Sequence, residues 1–262
     1  MSNSDPFDNP FRRLLGADRV PLGTWLMSGC SSTAEAMGHA GFDWLVVDLE
    51  HVPIEYTGAL HLLQAIAGTP AHPVVRIAWN DGVLAKRALD VGAQTIMFPF
   101  VCTAEDAARA VASTRYAPQG TRGFAAMHRA SGYGTKAGYA KRANGAIFCI
   151  VQIETLEAVA NLEAIACVPG IDGIFLGPGD LSASMGFTGE VSHPSVLDVV
   201  ADVAARCRKL GTPCGILAPT PDLLSRFVAM GYDFAALSSD MGMMMRQANA
   251  YIEEVGPSLR KR

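Results

Sequence analysis

The 262-residue sequence has only six cysteines, Cys30, Cys102, Cys149, Cys167, Cys207 and Cys214, and none forms a CxxC pair. In a chain this long, half of it apolar, that scarcity excludes a disulfide scaffold and makes a reducing cytoplasm the simplest setting. Runs of Lys and Arg are missing as well, and the net charge is -4, so neither nucleic acid nor an anionic membrane surface finds a footprint. A small anionic substrate can still be held by local positive groups. No apolar stretch approaches membrane-spanning length, and Met1 to Pro10 lacks the basic-then-apolar layout of a signal peptide. The expectation is a soluble, intracellular, single domain over residues 1–262, with residues 1–20 as an N-terminal extension.

What the sequence does contain is a rhythm. Short apolar runs rich in β-branched or aromatic residues alternate with stretches of helical spacing, the mark of a parallel α/β fold. The runs are Gly23 to Ser28, Trp44 to Leu49, Pro73 to Ala78, Thr95 to Phe100, Ile147 to Ile153, Gly173 to Leu176, Pro213 to Leu217 and Asp233 to Leu237. Helices are expected between them, for example Ala104 to Tyr116 and Ser195 to Leu210, with Gly41, Gly92, Gly211 and Gly231 near helix ends. Eight strands is the number of a (β/α)8 barrel, although a doubly wound open sheet shows the same local alternation. Polar residues favour the barrel, because they follow apolar runs around the whole ring: Asp48, Glu50 and His51, then Arg76, then Gln152 and Glu154, then Asp180. Two segments break the rhythm. Gln119 to Asn144 is long enough for a lid or a subunit contact, and Gly177 to Ser192 has the look of an active-site loop.

Strand alternation in Val151-Gln152-Ile153-Glu154 sends Gln152 and Glu154 to one side, into the barrel interior. A carboxylate there needs neutralising, and Asp180 of Gly177-Pro178-Gly179-Asp180 offers a second one nearby. Residue types alone leave two readings: a hard divalent cation on Glu154 and Asp180, or an ion pair of Glu154 with Arg76. Arg76 ends an apolar strand and suits a carboxylate or enolate oxygen. His51 stands where a strand breaks into a Pro-containing loop, with Asp48 and Glu50 as carboxylate neighbours, the setting of a general base. The other histidines lack such surroundings. The amides of Gly179 and Asp180 are open to a substrate carboxylate. Met241, Met243, Met244 and Met245 read as packing or a subunit contact in the last helix.

Taken together, GTWLMSG, VVDLEHVPIEY, VVRIAWND, LDVGAQTIMFPFV, YAPQGTRGF, VQIETLEAVANLEAI and IDGIFLGPGDLSASMG resemble the metal-dependent class II pyruvate aldolases of the 4-hydroxy-2-oxoheptanedioate aldolase family, from about Pro21 to Asp240. The resemblance implies a phosphoenolpyruvate/pyruvate-type TIM barrel with Glu154 and Asp180 as ligands of Mg²⁺, Mn²⁺ or Co²⁺. It implies Gln152 and Arg76 at the pyruvyl group, a His51 base supported by Asp48, amides of Gly179 and Asp180 on the carboxylate, and Leu217 on the aldehyde side. It also implies a homohexamer, a trimer of dimers, in which Asp90 reaches a neighbouring site, and roles such as aromatic compound catabolism. Gly179 stands where the family often has Ala, and Ser184 where it often has Asp.

The implied reaction is reversible retro-aldol cleavage of a 4-hydroxy-2-oxo acid, of 4-hydroxy-2-oxoheptanedioate or 2-dehydro-3-deoxy-sugar-acid type, to pyruvate and an aldehyde. No lysine lies at a strand end, which argues against a Schiff-base aldolase. The rivals are an acyl-CoA lyase of malyl or citramalyl type, an isomerase or mutase acting on phosphoenolpyruvate, and a non-catalytic 2-oxo acid binding protein.

Overall fold

Apolar runs bounded by turns become eight strands in the computed structural model, which describes residues 7–259. They are β1 (Leu22–Leu26), β2 (Trp44–Asp48), β3 (His72–Arg76), β4 (Thr95–Phe98), β5 (Phe148–Ile153), β6 (Gly173–Leu176), β7 (Cys214–Ala218) and β8 (Phe234–Ser239). All pair in parallel in sequence order, and β8 closes on β1, so the fold is the eight-stranded TIM barrel and not an open sheet. Among the described residues no helix is long and apolar enough to cross a membrane.

Alternation divides the core into two layers. Trp44, Val46, Val74, Ile150 and Phe175 fill the barrel interior, while Leu45, Val47, Val75, Val151 and Ile153 pack under the helices. Large rings fit inside because small residues face them: a Cβ on Gly215 would sit 2.1 Å from the Phe234 ring. The expected N-terminal extension has a definite task where it is described. Asn9 caps the short helix Pro10–Leu14 and its amide donates to the Gln94 and Ala146 carbonyls at 2.9 and 3.0 Å. Phe11 is thereby driven into the N-terminal end of the barrel, fully buried, with its ring 5.7, 5.2 and 5.3 Å from Trp44, Phe148 and Phe234. Residues 1–6 of that extension lie outside the described residues.

Several element ends differ from the sequence expectation for local reasons. β1 stops at Leu26 because the next two amides, of Met27 and Ser28, bond to the Asp240 carboxylate instead of the ladder. β4 stops at Phe98, before a proline and before Phe100, whose φ of 49° turns the chain. The helix expected to reach Tyr116 spans Ala104–Thr114, with Arg115 extended and the Tyr116 amide bonded to Asn144.

Candidate active site

The carboxyl ends of β1, β2, β3, β5, β6, β7 and β8 surround one cavity of about 530 Å³. Its apolar wall includes Trp25, Phe175 and Leu217, continuous with the inner core, and its polar side carries His51, Arg76, Gln152, Glu154 and Asp180. Residues from the ends of seven strands meet there only because the barrel is closed.

Gln152 and Glu154 do share the inward side of β5, as alternation requires. The Gln152 amide nitrogen donates to Glu154 Oε1, while Glu154 Oε2 and Gln152 Oε1 are buried and have no hydrogen-bond partner. Room for the carboxyl group comes from Gly177, the N-cap of helix Pro178–Ser184: a Cβ there would lie 2.7 Å from Glu154 Oε1. Burial, reinforced by the negative charges of Glu50 and Asp180, pushes Glu154 up to about 8, and Arg76 offsets this only in part. Asp180 is exposed in the first turn of the same helix, where the amides of Gly179 and Asp180 have no intrahelical acceptor. Gly179 faces open space.

Arg76 is not paired with Glu154. Its Nε and Nη2 donate to Asp48 Oδ1 and Oδ2 at 2.9 and 2.7 Å, the paired-bond geometry natural to adjacent strands in which Asp48 is in register with Arg76. Nη1 lies 2.9 Å from Glu50 Oε2, an ion pair without hydrogen-bond alignment, and the Trp25 ring underlies the guanidinium at 5.5 Å. Burial works against this charge, yet the bonds to Asp48 and the fields of Glu50 and Glu154 keep its pKa above the usual value.

Here the expected Asp48–His51 dyad needs correcting. Asp48 is fully buried and both its oxygens serve Arg76, with Oδ1 also accepting the Glu50 amide. The carboxylate nearest the imidazole is Glu50, whose Oε2 is 3.9 Å from His51 Nε2, and the His51 side chain is 56% exposed at the cavity rim. Glu50 was visible in the sequence only as a neighbour of His51. The signal that could have promoted it is its spacing: two residues beyond Asp48 in an extended segment, it returns to the Asp48 side and so to Arg76. Burial raises the Glu50 pKa, with Arg76 and His51 opposing the rise. Ser238 and Ser239 also line the cavity and were not singled out; Ser238 has a φ of 53°.

Leu217 is on the wall as expected. Asp90 is not in this cavity: it ends the helix Gly82–Asp90, accepts from Arg122 Nη2 at 2.8 Å and lies 3.7 Å from His128 Nε2. The long segment Gln119 to Asn144 contributes no residue to the lining of this cavity; its Arg129, Lys136 and Tyr139 line a separate pocket with His72 and Gln94 at the opposite ends of the strands. Gly177 to Ser192 does contribute, through Gly179, Asp180, Gly189 and Val191.

Known proteins share this architecture. The chain is 56% identical over 236 residues to the 2-dehydro-3,6-dideoxy-6-sulfogluconate aldolase of Pseudomonas putida, covering 90% of this chain and 92% of that protein. It is 45% identical over 241 residues to a 5-keto-4-deoxy-D-glucarate aldolase of Salmonella arizonae, covering 92% and 94%. The crystal structure of an aldolase/citrate lyase family protein from Burkholderia cenocepacia superimposes with a TM-score of 0.91 at 39% identity, over 94% of this chain and 99% of that one. Relatives that close make the protein a carbon-carbon lyase of the aldolase type. Residues 22–247 match the HpcH/HpaI aldolase/citrate lyase model across all eight strands, and the chain belongs to that family.

Proposed function

We propose that the protein is a divalent-metal-dependent aldolase that reversibly cleaves a 4-hydroxy-2-oxo acid of the 2-oxo-3-deoxy sugar-acid type to pyruvate and an aldehyde. The observation that carries the reading is the buried Glu154 carboxyl group with an unpartnered oxygen, opening beside Arg76 into the cavity that also holds Asp180. The names of the two sugar-acid aldolase relatives support the substrate class over one derived from aromatic compounds.

A hard cation fits the residues present. Glu154 Oε2 and Gln152 Oε1 are buried acceptors in want of a partner, and Asp48, Glu50 and Glu154 face the one guanidinium of Arg76 while Asp180 adds a fourth negative charge beside Glu50 and Glu154. Among the described residues no group of three or more His, Cys, Asp and Glu side chains forms a cage. Glu154 and Asp180 would therefore hold Mg²⁺, Mn²⁺ or Co²⁺ as a pair, leaving its other positions to water and substrate. When bound, the cation supplies Lewis-acid polarisation of the 2-oxo group.

The chain's own groups divide the remaining work. Arg76, held by Asp48, turns its free N–H groups toward the oxygen on which charge develops as the C3–C4 bond breaks. The bonding pair moves onto the pyruvyl fragment, and C4 becomes the aldehyde carbonyl as His51 accepts the proton of its hydroxyl. Gln152 and the amides of Gly179 and Asp180 orient the pyruvyl carboxylate, and Leu217 borders the aldehyde half. The cavity lining includes no lysine, in keeping with an enolate and not an imine route.

All six cysteines are free, which suits a reducing cytoplasm. Chelator-treated protein should lose retro-aldol activity and regain it with Mg²⁺, Mn²⁺ or Co²⁺, and Glu154→Ala should not be rescued. Full activity in metal-free protein would reject the proposal.

A further inference from the structure

We infer that Ser238 determines specificity for the aldehyde half: its hydroxyl hydrogen-bonds the hydroxyl on C5 of the substrate, which is C2 of the released aldehyde, and so selects 2-hydroxyaldehydes over unhydroxylated ones. The inference rests on the aldolase reading and deepens it. Alternation carries the residue to the cavity. Phe234 and Ala236 belong to the inner core, and two residues further along β8 Ser238 returns to the same side. Ala236 is in register with Leu217 of β7, so Ser238 stands one step above the apolar wall that borders the aldehyde half. The charged groups of the cavity, His51, Arg76, Glu154 and Asp180, follow β2, β3, β5 and β6. On the remaining side, among the described residues, Ser238 and Ser239 bring the only side-chain hydroxyls of the lining.

No structural task accounts for the Ser238 side chain. Its φ of 53° lies in the left-handed region, where a Cβ is unfavourable and glycine is the natural occupant. Capping of the helix Asp240–Val255 beside it falls to others. Ser239 Oγ accepts the Gly242 amide at 3.0 Å, and the Asp240 carboxylate takes the amides of Met27, Ser28 and Met241. Ser238 offers its backbone carbonyl to Thr24 Oγ1 at 3.4 Å, but its own hydroxyl bonds to no described residue. The residue is half-buried, and Gly242 keeps space for the hydroxyl: a Cβ there would come within 2.7 Å of Ser238 Oγ. A strained residue with a spare hydroxyl at the mouth of the site has the character of a ligand contact. The group both donates and accepts, so it suits a substrate hydroxyl, and a substrate without one leaves it unpaired when the site closes on its ligand.

Addition of pyruvate to glycolaldehyde and to propanal isolates this contact, because the two aldehydes differ only in carrying a hydroxyl or a methyl group on C2. The parent should favour glycolaldehyde in kcat/KM. Ser238→Ala should lower kcat/KM for glycolaldehyde by about tenfold, the worth of one hydrogen bond, and change that for propanal by less than about threefold. Exchange of the pyruvate methyl protons with deuterium, followed by NMR, involves no aldehyde and should keep its rate in the variant. Ser238→Gly should lose the same preference while its melting temperature equals or exceeds that of the parent, since glycine suits the backbone there. A parent indifferent to the hydroxyl, or variants that retain the preference, would overturn the inference. So would equal losses with both aldehydes and in proton exchange, or a lowered melting temperature of Ser238→Gly, because either assigns the side chain to the fold. Parent enzyme that neither exchanges pyruvate protons nor adds pyruvate to either aldehyde with Mg²⁺, Mn²⁺ or Co²⁺ present would instead reject the aldolase reading itself, and the inference with it.

Discussion

Glu154 carries an opposition that can be measured. Its carboxyl group is withdrawn from water among other acids, so in metal-free protein it keeps its proton up to about pH 8, against 4.5 for an ordinary glutamate. The unfolded chain releases that proton near 4.5 and the folded chain does not. The group's contribution to stability is therefore complete below about pH 4.5 and lost as pH rises through about 8. Glu50, also raised, adds in the same direction. Chelator-treated protein should show a melting temperature that falls between about pH 5 and 8, Glu154→Gln should flatten the fall, and Mg²⁺ or Mn²⁺ should reverse it at pH 8 while releasing a proton. A melting temperature that climbs over this range would contradict the assignment. At this scale the sequence was legible wherever parity alone decides, as for Gln152 and Glu154. It was not legible where a neighbouring strand decides: Asp48 is only three residues from His51 along the chain, but β2–β3 register sets Arg76 directly across from it.

Elements place these groups, and the junction of β6 with the helix Pro178–Ser184 is the most exacting. Gly177 gives up a side chain so that Glu154 can sit beneath the turn. Gly177→Ala should displace the Glu154 carboxyl group and weaken divalent-cation affinity by about tenfold or more, the factor usual for disturbed supports of metal ligands, with far-ultraviolet circular dichroism unchanged. Isothermal titration with Mn²⁺ reads the effect, and parental affinity would remove Gly177 from the argument. At the other end of the barrel Phe11 closes the interior. Phe11→Ala should cost about 3–5 kcal/mol in denaturant unfolding, without a matching loss of kcat in the surviving folded protein. The eight strands were readable from apolar runs and turn residues. The plug was not, because a five-residue helix preceded by a polar stretch has no periodicity to announce it. Nor were strand ends, where Asp240 on a distant element captures the amides that would have continued β1.

In the whole molecule the site opens at one end, the plug seals the other, and the last helix, Asp240–Val255, buries only Asp240. Met244, Met245, Tyr251 and Ile252 are each more than half exposed, a large apolar face for a helix packed at the barrel rim. The sequence expectation of a homohexamer gives that face a use, and would bring Asp90, tied to Arg122 and His128 away from this chain's own cavity, to a neighbouring active site. Asp90→Ala cannot test this cleanly, because it strips the buried Arg122 of its carboxylate and disturbs the fold as well. A surface change is the better probe. Light scattering should give the mass of six chains for the parent, and Met245→Glu with Ile252→Glu should yield smaller species that keep the parental circular dichroism, since neither side chain supports the barrel. If the parent runs as a single chain, the hexamer and the neighbour role of Asp90 both fall, and activity must come from the one cavity described. If the double variant stays hexameric, the assembly uses another face, and the long Gln119 to Asn144 segment, with Phe124, Met127 and Tyr133 exposed, becomes the surface to charge next.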